Sequence, residues 1–133
     1  MTTSELKRVL YVEDEADIRE VIQLALEAVG GFSVAPCTSG AEALEQARDF
    51  APQLILLDVM MPVMDGPETL RRLREIPELS HTPVVFITAK VQAGDLRRYR
   101  ELGAIDVVVK PFDPMTLSED LSHIWNRFHE RRR

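Results

Sequence analysis

Five short apolar runs punctuate the chain: Val9 to Val12, Phe32 to Ala35, Leu54 to Leu57, Val84 to Ile87 and Val107 to Val109. Each has the length of a strand, and several are continuously apolar instead of alternating, which suits strands covered on both faces. Between them, apolar residues recur at helical spacing. Ile18, Val21, Ile22, Ala25, Leu26 and Val29 form one stripe, closed by Gly30-Gly31 where a left-handed turn costs nothing. Ala43, Leu44 and Ala47 mark a shorter helix ending before Pro52, and Leu70 and Leu73 a third ending before Pro77. Leu96, Tyr99 and Leu102 mark a fourth, closed by Gly103, while Leu117, Leu121, Ile124, Trp125 and Phe128 give the fifth its apolar face. Strand then helix, five times over, predicts an α/β domain: a five-stranded parallel sheet, doubly wound as (βα)5 into a three-layer sandwich.

The 133 residues fit one such domain, with a core spanning about residues 6 to 128, a short basic tail and no linker or output domain left over. With 16 basic and 22 acidic residues the net charge is -6, which disfavours attraction to nucleic acid or an anionic membrane surface. Cys37 is the single cysteine, so it forms no intrachain disulfide and is read as a structural thiol. Met1 to Arg8 lacks the apolar core of a signal peptide, and no apolar run approaches a membrane span, so the expected location is the cytoplasm. The tail arginines Arg127, Arg131, Arg132 and Arg133 suit the carboxyl end of the last helix. His81, His123 and His129 are expected on the surface, without a metal-ligand arrangement.

In open parallel sheets, sites form where loops leave the carboxyl ends of strands. The first strand runs into Glu13-Asp14-Glu15. Alone, that triplet reads as acids at a helix start, but clustered carboxylates also suit a hard divalent cation. The third strand ends at Asp58, which in isolation would be a turn-former; its arrival at the same sheet edge as Asp14 favours a shared magnesium ion. Pro62 and Asp65-Gly66 then signal an ordered turn into the next helix. The fourth strand ends at Thr88-Ala89, offering a hydroxyl and a backbone N–H, and the fifth at Lys110-Pro111-Phe112. Singly, a threonine or lysine at a strand end is a surface residue. Acids, hydroxyl and ammonium at four strand ends together compose a phosphoryl site.

The segments Val9-Leu10-Tyr11-Val12-Glu13-Asp14-Glu15, Leu56-Leu57-Asp58-Val59-Met60-Met61-Pro62-Val63-Met64-Asp65-Gly66, Thr88-Ala89-Lys90 and Val109-Lys110-Pro111-Phe112 carry a specific likeness. Through them the chain resembles the receiver domain of two-component response regulators, in its stand-alone, CheY-like form with a flavodoxin-like fold. The resemblance implies that Asp58 accepts a phosphoryl group from a phosphohistidine of a sensor histidine kinase or phosphotransfer protein. It implies magnesium ligands from Asp14, Asp58 and the Met60 carbonyl, with Glu13 acting through water, and phosphoryl contacts from Lys110, Thr88 and Ala89. It also implies a switch at Thr88 that resets a surface of the fourth helix, fifth strand and fifth helix for an effector protein or a homodimer. Such a domain takes part in its own phosphorylation and dephosphorylation without being an enzyme in the usual sense.

Three positions bear on that likeness. Glu13-Asp14 stands where an Asp-Asp pair is also common, and Val107 stands where the family usually has an aromatic switch residue, so no aromatic rotamer can turn there. Lys110-Pro111 is expected to be cis. Rival readings fit less well. A phosphatase of the haloacid dehalogenase type needs a second Asp where Met60 stands, and a flavodoxin-like cofactor carrier needs a phosphate loop where Glu13 to Glu15 would repel phosphate. A phosphorylation-independent interaction module, or a receiver cut from a longer regulator with an output domain, remains an alternative.

Overall fold

The computed structural model describes residues 5–89 and 91–131. Lys90, the last residue of one matching segment, lies outside the described residues, as do residues 1–4 of the N-terminal stretch and Arg132 and Arg133 of the tail.

The elements alternate as the apolar pattern predicts: β1 (Arg8–Val12), α1 (Ala16–Ala28), β2 (Ser33–Cys37), α2 (Gly40–Phe50), β3 (Leu54–Asp58), α3 (Gly66–Arg74), β4 (Val84–Thr88), α4 (Asp95–Leu102), β5 (Asp106–Val109) and α5 (Pro114–Arg131). A 3-10 turn, Pro77–Leu79, separates α3 from β4. The five strands form one parallel sheet in the order β2-β1-β3-β4-β5. Chain order therefore reverses between β1 and β3, and loops diverging there open a crevice at their carboxyl ends.

Alternation along the buried strands divides the core into two layers. Leu10, Val12, Ile55, Leu57 and Phe86 pack with Ala43, Leu70, Leu73 and Tyr99, the layer under α2, α3 and α4. Val9, Tyr11, Leu54, Leu56, Val85 and Ile87 pack with Ile22, Leu26, Leu117, Leu121 and Trp125, the layer under α1 and α5.

Several expectations shift. The second strand is Ser33–Cys37, displaced from Phe32 to Ala35, because Pro36 is tolerated where β2 forms the sheet edge and needs no outward donor. In the first helix Ile22, Ala25 and Leu26 are buried, but Val21 and Val29 are exposed, and in the fourth Leu96 and Leu102 are exposed while Tyr99 alone is buried. Helical spacing locates a stripe without fixing how wide a strip of it the sheet covers. Gly103 closes α4 at φ 116°, the left-handed region a glycine enters freely. His129 is not a plain surface residue, since its ring packs edge-on against Trp125 at 4.0 Å. Cys37 is buried, and burial pushes its thiol up to about 12, as suits a structural role.

Candidate functional site

Parallel pairing sets the site's geometry. Tyr11 lies level with Leu56 and Val12 with Leu57, so the same register carries Glu13 beyond the end of β1 to the level of Asp58 at the end of β3. Asp58 and Glu13 are both buried, and Asp14 opens to solvent. One carboxylate oxygen from each of the three lies within 4.8 Å of the others. On β5, Val108 faces the α1/α5 layer, and Lys110, two residues on, returns to the same side. Its Nζ lies 3.0 Å from Glu13 Oε1 and 3.3 Å from Asp58 Oδ2.

Of the four charged groups, Glu13, Asp58 and Lys110 are thus mostly shielded from water, while Asp14 opens the site to it. Burial, then the bond to Asp58, drives the Glu13 carboxyl up to about 7, with Lys110 pulling the other way. Burial alone would lower Lys110, but Glu13 and Asp58 outweigh it and hold the ammonium more firmly protonated than usual. Two acids with one lysine leave an excess of negative charge, which a divalent cation would neutralise. The oxygen-rich donor set, the close spacing of its carboxylates and the raised proton affinity of Glu13 fit magnesium or a similar hard ion.

The backbone around the pocket is held closely. Met60 donates its N–H to Asp58 Oδ1 at 3.3 Å, while its side chain projects into solvent. Arg19 of α1 donates to the Glu13 carbonyl at 2.8 Å, and the Glu15 N–H to Glu13 Oε2 at 3.3 Å. Asp65, read as part of a turn, caps α3 by accepting from the Glu68 N–H at 2.9 Å. Gly66 donates to the Val59 carbonyl at 2.9 Å, and a Cβ on it would sit 2.6 Å from the Asp58 carbonyl oxygen. The helix reaches the Asp58 backbone because that residue is a glycine.

Thr88 ends β4 on the opposite parity, toward α4, and is buried; Ala89 beside it is exposed. Val107 is partly buried against the layer that holds Phe86 and Tyr99, whose rings meet edge-on with centroids 5.2 Å apart. Lys110-Pro111 is cis, as expected. Glu13, Asp14, Asp58 and Lys110 therefore converge, Met60 lies at their rim through its backbone, and Thr88 and Val107 line the way toward α4. Sequence reading missed Tyr11 and Arg19 as neighbours of this pocket. The signal for Tyr11 was its place two residues before Glu13 on one strand; Arg19 at the next helix start carried none strong enough to separate it from a solvated charge.

Comparison with known proteins agrees with this geometry. The family model described as the response regulator receiver domain matches residues 9–122. The transcriptional regulatory protein CseB of Streptomyces coelicolor is 41% identical over 120 residues, covering 90% of this chain and 50% of that relative. The alkaline phosphatase synthesis transcriptional regulatory protein PhoP of Bacillus subtilis is 37% identical over 121 residues, covering 91% of this chain and 49% of its own length. The chain thus spans about half the length of these curated relatives. Among solved structures, the chemotaxis protein CheY4 of Vibrio cholerae superposes with a TM-score of 0.83 at 31% identity, covering 90% of this chain and 98% of that one.

Proposed function

The chain belongs to the receiver domain family of two-component response regulators, and from that premise we propose that it accepts a phosphoryl group on Asp58 and uses it to switch a partner-binding surface. The observation that carries the proposal is the convergence of Asp58 with Glu13, Asp14 and Lys110 at the crevice between β1 and β3. A carboxylate oxygen of Asp58 attacks phosphorus, the phosphorus–nitrogen bond of a donor phosphohistidine breaks, and the imidazole departs with the bond's electron pair. The product is an aspartyl phosphate.

Asp14, Asp58 and the Met60 carbonyl would hold magnesium, with Glu13 contributing through water, and the ion would supply positive charge against the incoming phosphoryl oxygens. Lys110, held protonated, turns from the acids to a phosphoryl oxygen. Thr88 offers its hydroxyl and Ala89 its N–H from the end of β4. The new group adds charge of roughly -1.5 to -2, by analogy with phosphorylated hydroxyl residues. Movement of Thr88 then biases the surface of α4, β5 and α5 through Val107 and Tyr99, without an aromatic rotamer at position 107.

The donor is a sensor histidine kinase or phosphotransfer protein. A cleft of about 700 Å³ beside Lys110, lined by Ile18, Val21, Ile22, Pro111 and Phe112, offers an apolar seat for such a donor, which would account for the exposure of Val21. The reader of the switched surface is an effector protein or a second copy of the chain. Residues 1–133 act as one receiver unit with its core at about 6–128, in the cytoplasm; no helix among the described residues is long and apolar enough to cross a membrane. A role in transcription, like that of the named relatives, would run through a partner or a domain joined to this one.

The test is incubation with magnesium and a small-molecule phosphodonor, read by intact mass for wild type and Asp58→Asn. The expected result is one added phosphoryl group in wild type, none in the variant and none with chelator. Unmodified wild type with both small donors and a kinase would overturn the proposal and favour a phosphorylation-independent interaction module.

A further inference from the structure

The proposed chemistry leaves one buried polar group beside the pocket without a task. Tyr11 precedes Glu13 by two residues on β1, so strand alternation sends both side chains to the α1/α5 side of the sheet. Both residues are fully buried. The Tyr11 hydroxyl lies against the Glu13 carboxylate, close enough for that contact to raise its proton affinity, yet it completes no hydrogen bond of full geometry, and neither does Glu13 Oε1, whose 3.0 Å approach to Lys110 is a charge contact without bond direction. A buried hydroxyl left unpaired is costly, and phenylalanine would fill the same space without that cost.

The surroundings indicate what the hydroxyl is for. Burial, then the negative charges of Glu13 and Asp58, keep the phenol protonated far above its usual range, with Arg19 opposing weakly, so the group is a standing donor. Glu13 needs one. The Arg19 side chain holds its carbonyl and the Glu15 N–H holds Oε2, but Oε1 has the charge of Lys110 at 3.0 Å and no hydrogen bond of full geometry. Under the phosphoacceptor reading, on which this argument rests, Lys110 leaves for the phosphoryl group. Glu13 carries one methylene more than an aspartate and so one more torsion to fix at the moment its partner departs.

We infer that Tyr11 is a positioning residue that takes over Glu13 Oε1 when Lys110 turns to the phosphoryl group, keeping the carboxylate aimed at the metal position. In the unphosphorylated protein the hydroxyl faces Glu13 without completing the bond, because Lys110 still holds Oε1. Two oxygens that each lack a full hydrogen bond, one of them a donor and the other an acceptor, are thereby matched.

The test uses Tyr11→Phe, which removes one oxygen and keeps the ring, in the full chain. Calorimetry would measure magnesium alone, and then beryllofluoride with magnesium as a mimic of the phosphorylated state. The expected result is beryllofluoride binding weakened by about threefold to tenfold, magnesium alone nearly unchanged, and unfolding by urea no less cooperative. In a Glu13→Asp background the shorter carboxylate no longer reaches the phenol, and the Tyr11→Phe effect should vanish. Equal weakening with and without beryllofluoride, or persistence of the effect in Glu13→Asp, would assign Tyr11 a purely structural role. Wild-type binding unaffected by Tyr11→Phe overturns this inference alone, whereas a wild type that neither binds beryllofluoride nor takes up phosphate overturns the phosphoacceptor reading with it.

Discussion

The two faces of the sheet differ in how they are held. Toward α1 and α5, the strand ends carry Tyr11, Glu13, Asp58 and Lys110, a buried cluster in which acids outnumber the base. Toward α4, Phe86, Tyr99 and Val107 form an apolar patch with Thr88 at its end, and α4 buries Tyr99 as its sole residue, against five buried in α5. Around the acids the sheet is tense electrostatically and firmly packed; around α4 it is neutral and lightly anchored. Strand alternation makes this division, because neighbours on one strand face opposite layers. Under the proposed phosphoacceptor role, a phosphoryl group on the first face would act on the second through residues at the strand ends, and an element with few buried contacts yields at small energetic cost.

The most forceful way to break that comparison is Tyr99→Ala. It removes the anchor of α4 and should cost about 3 kcal/mol or more of stability, measured by urea unfolding. Phosphorylation of Asp58 by a small donor should proceed at the wild-type rate while amide exchange through Asp95–Leu102 quickens. A matching fall in phosphorylation rate would mean that the faces are not separable.

Gly66→Ala attacks the acid cluster instead, through the Asp58 backbone. The added Cβ would meet the Asp58 carbonyl at 2.6 Å, backbone that cannot swing aside as a side chain can. The expected loss is about 2 kcal/mol, with slower phosphorylation as the Asp58 loop shifts, and unchanged exchange in α4. Together the two variants would separate chemistry from read-out in opposite directions.

How much of this was written in the sequence follows the same division. The acid face was readable because Glu13, Asp14, Asp58 and Lys110 each close an apolar run, and a parallel sheet brings such ends together. The α4 face was not. Leu96, Tyr99 and Leu102 repeat at helical spacing alike, yet a helix of eight residues resting on a sheet edge covers just one of them. Spacing is a local property, whereas the width of contact depends on where β5 ends the sheet. Tyr11 was hidden for a related reason: within an apolar run it reads as core, and its hydroxyl matters only once Glu13 is placed beside it. Gly66 read as half of a turn dipeptide, while its use is the close approach of α3 to Asp58.

A smaller effect separates the charged pocket by pH. Glu13 titrates near 4.5 in the unfolded chain and about 7 in the metal-free fold. Between those values the folded protein holds the extra proton, so this group's stabilisation is full below pH 4.5 and is lost as pH rises through about 7. Metal-free wild type should therefore lose stability across that window, and Glu13→Gln should flatten the profile in urea titrations with chelator. Lys110 stays charged throughout, so it does not contribute to the slope. A Glu13→Gln profile as steep as wild type would place the excess charge elsewhere.

The smallest change tests whether backbone strain belongs to the acid face at all. Val63, in the loop from Asp58 to α3, has φ 69° and a fully exposed side chain. A β-branched residue in that region costs on the order of 1–3 kcal/mol, and exposure means no packing offsets it. Asparagine tolerates the conformation better and, unlike glycine, adds little freedom to the unfolded chain. Val63→Asn should thus raise stability by about 1 kcal/mol, a rise in Tm of a few degrees. If phosphorylation is unchanged, the strain is confined to the loop tip and Gly66 alone fixes the Asp58 backbone. If phosphorylation slows as stability rises, relaxed backbone at Val63 has moved Asp58, and the tension of the acid face extends from its charges into its chain.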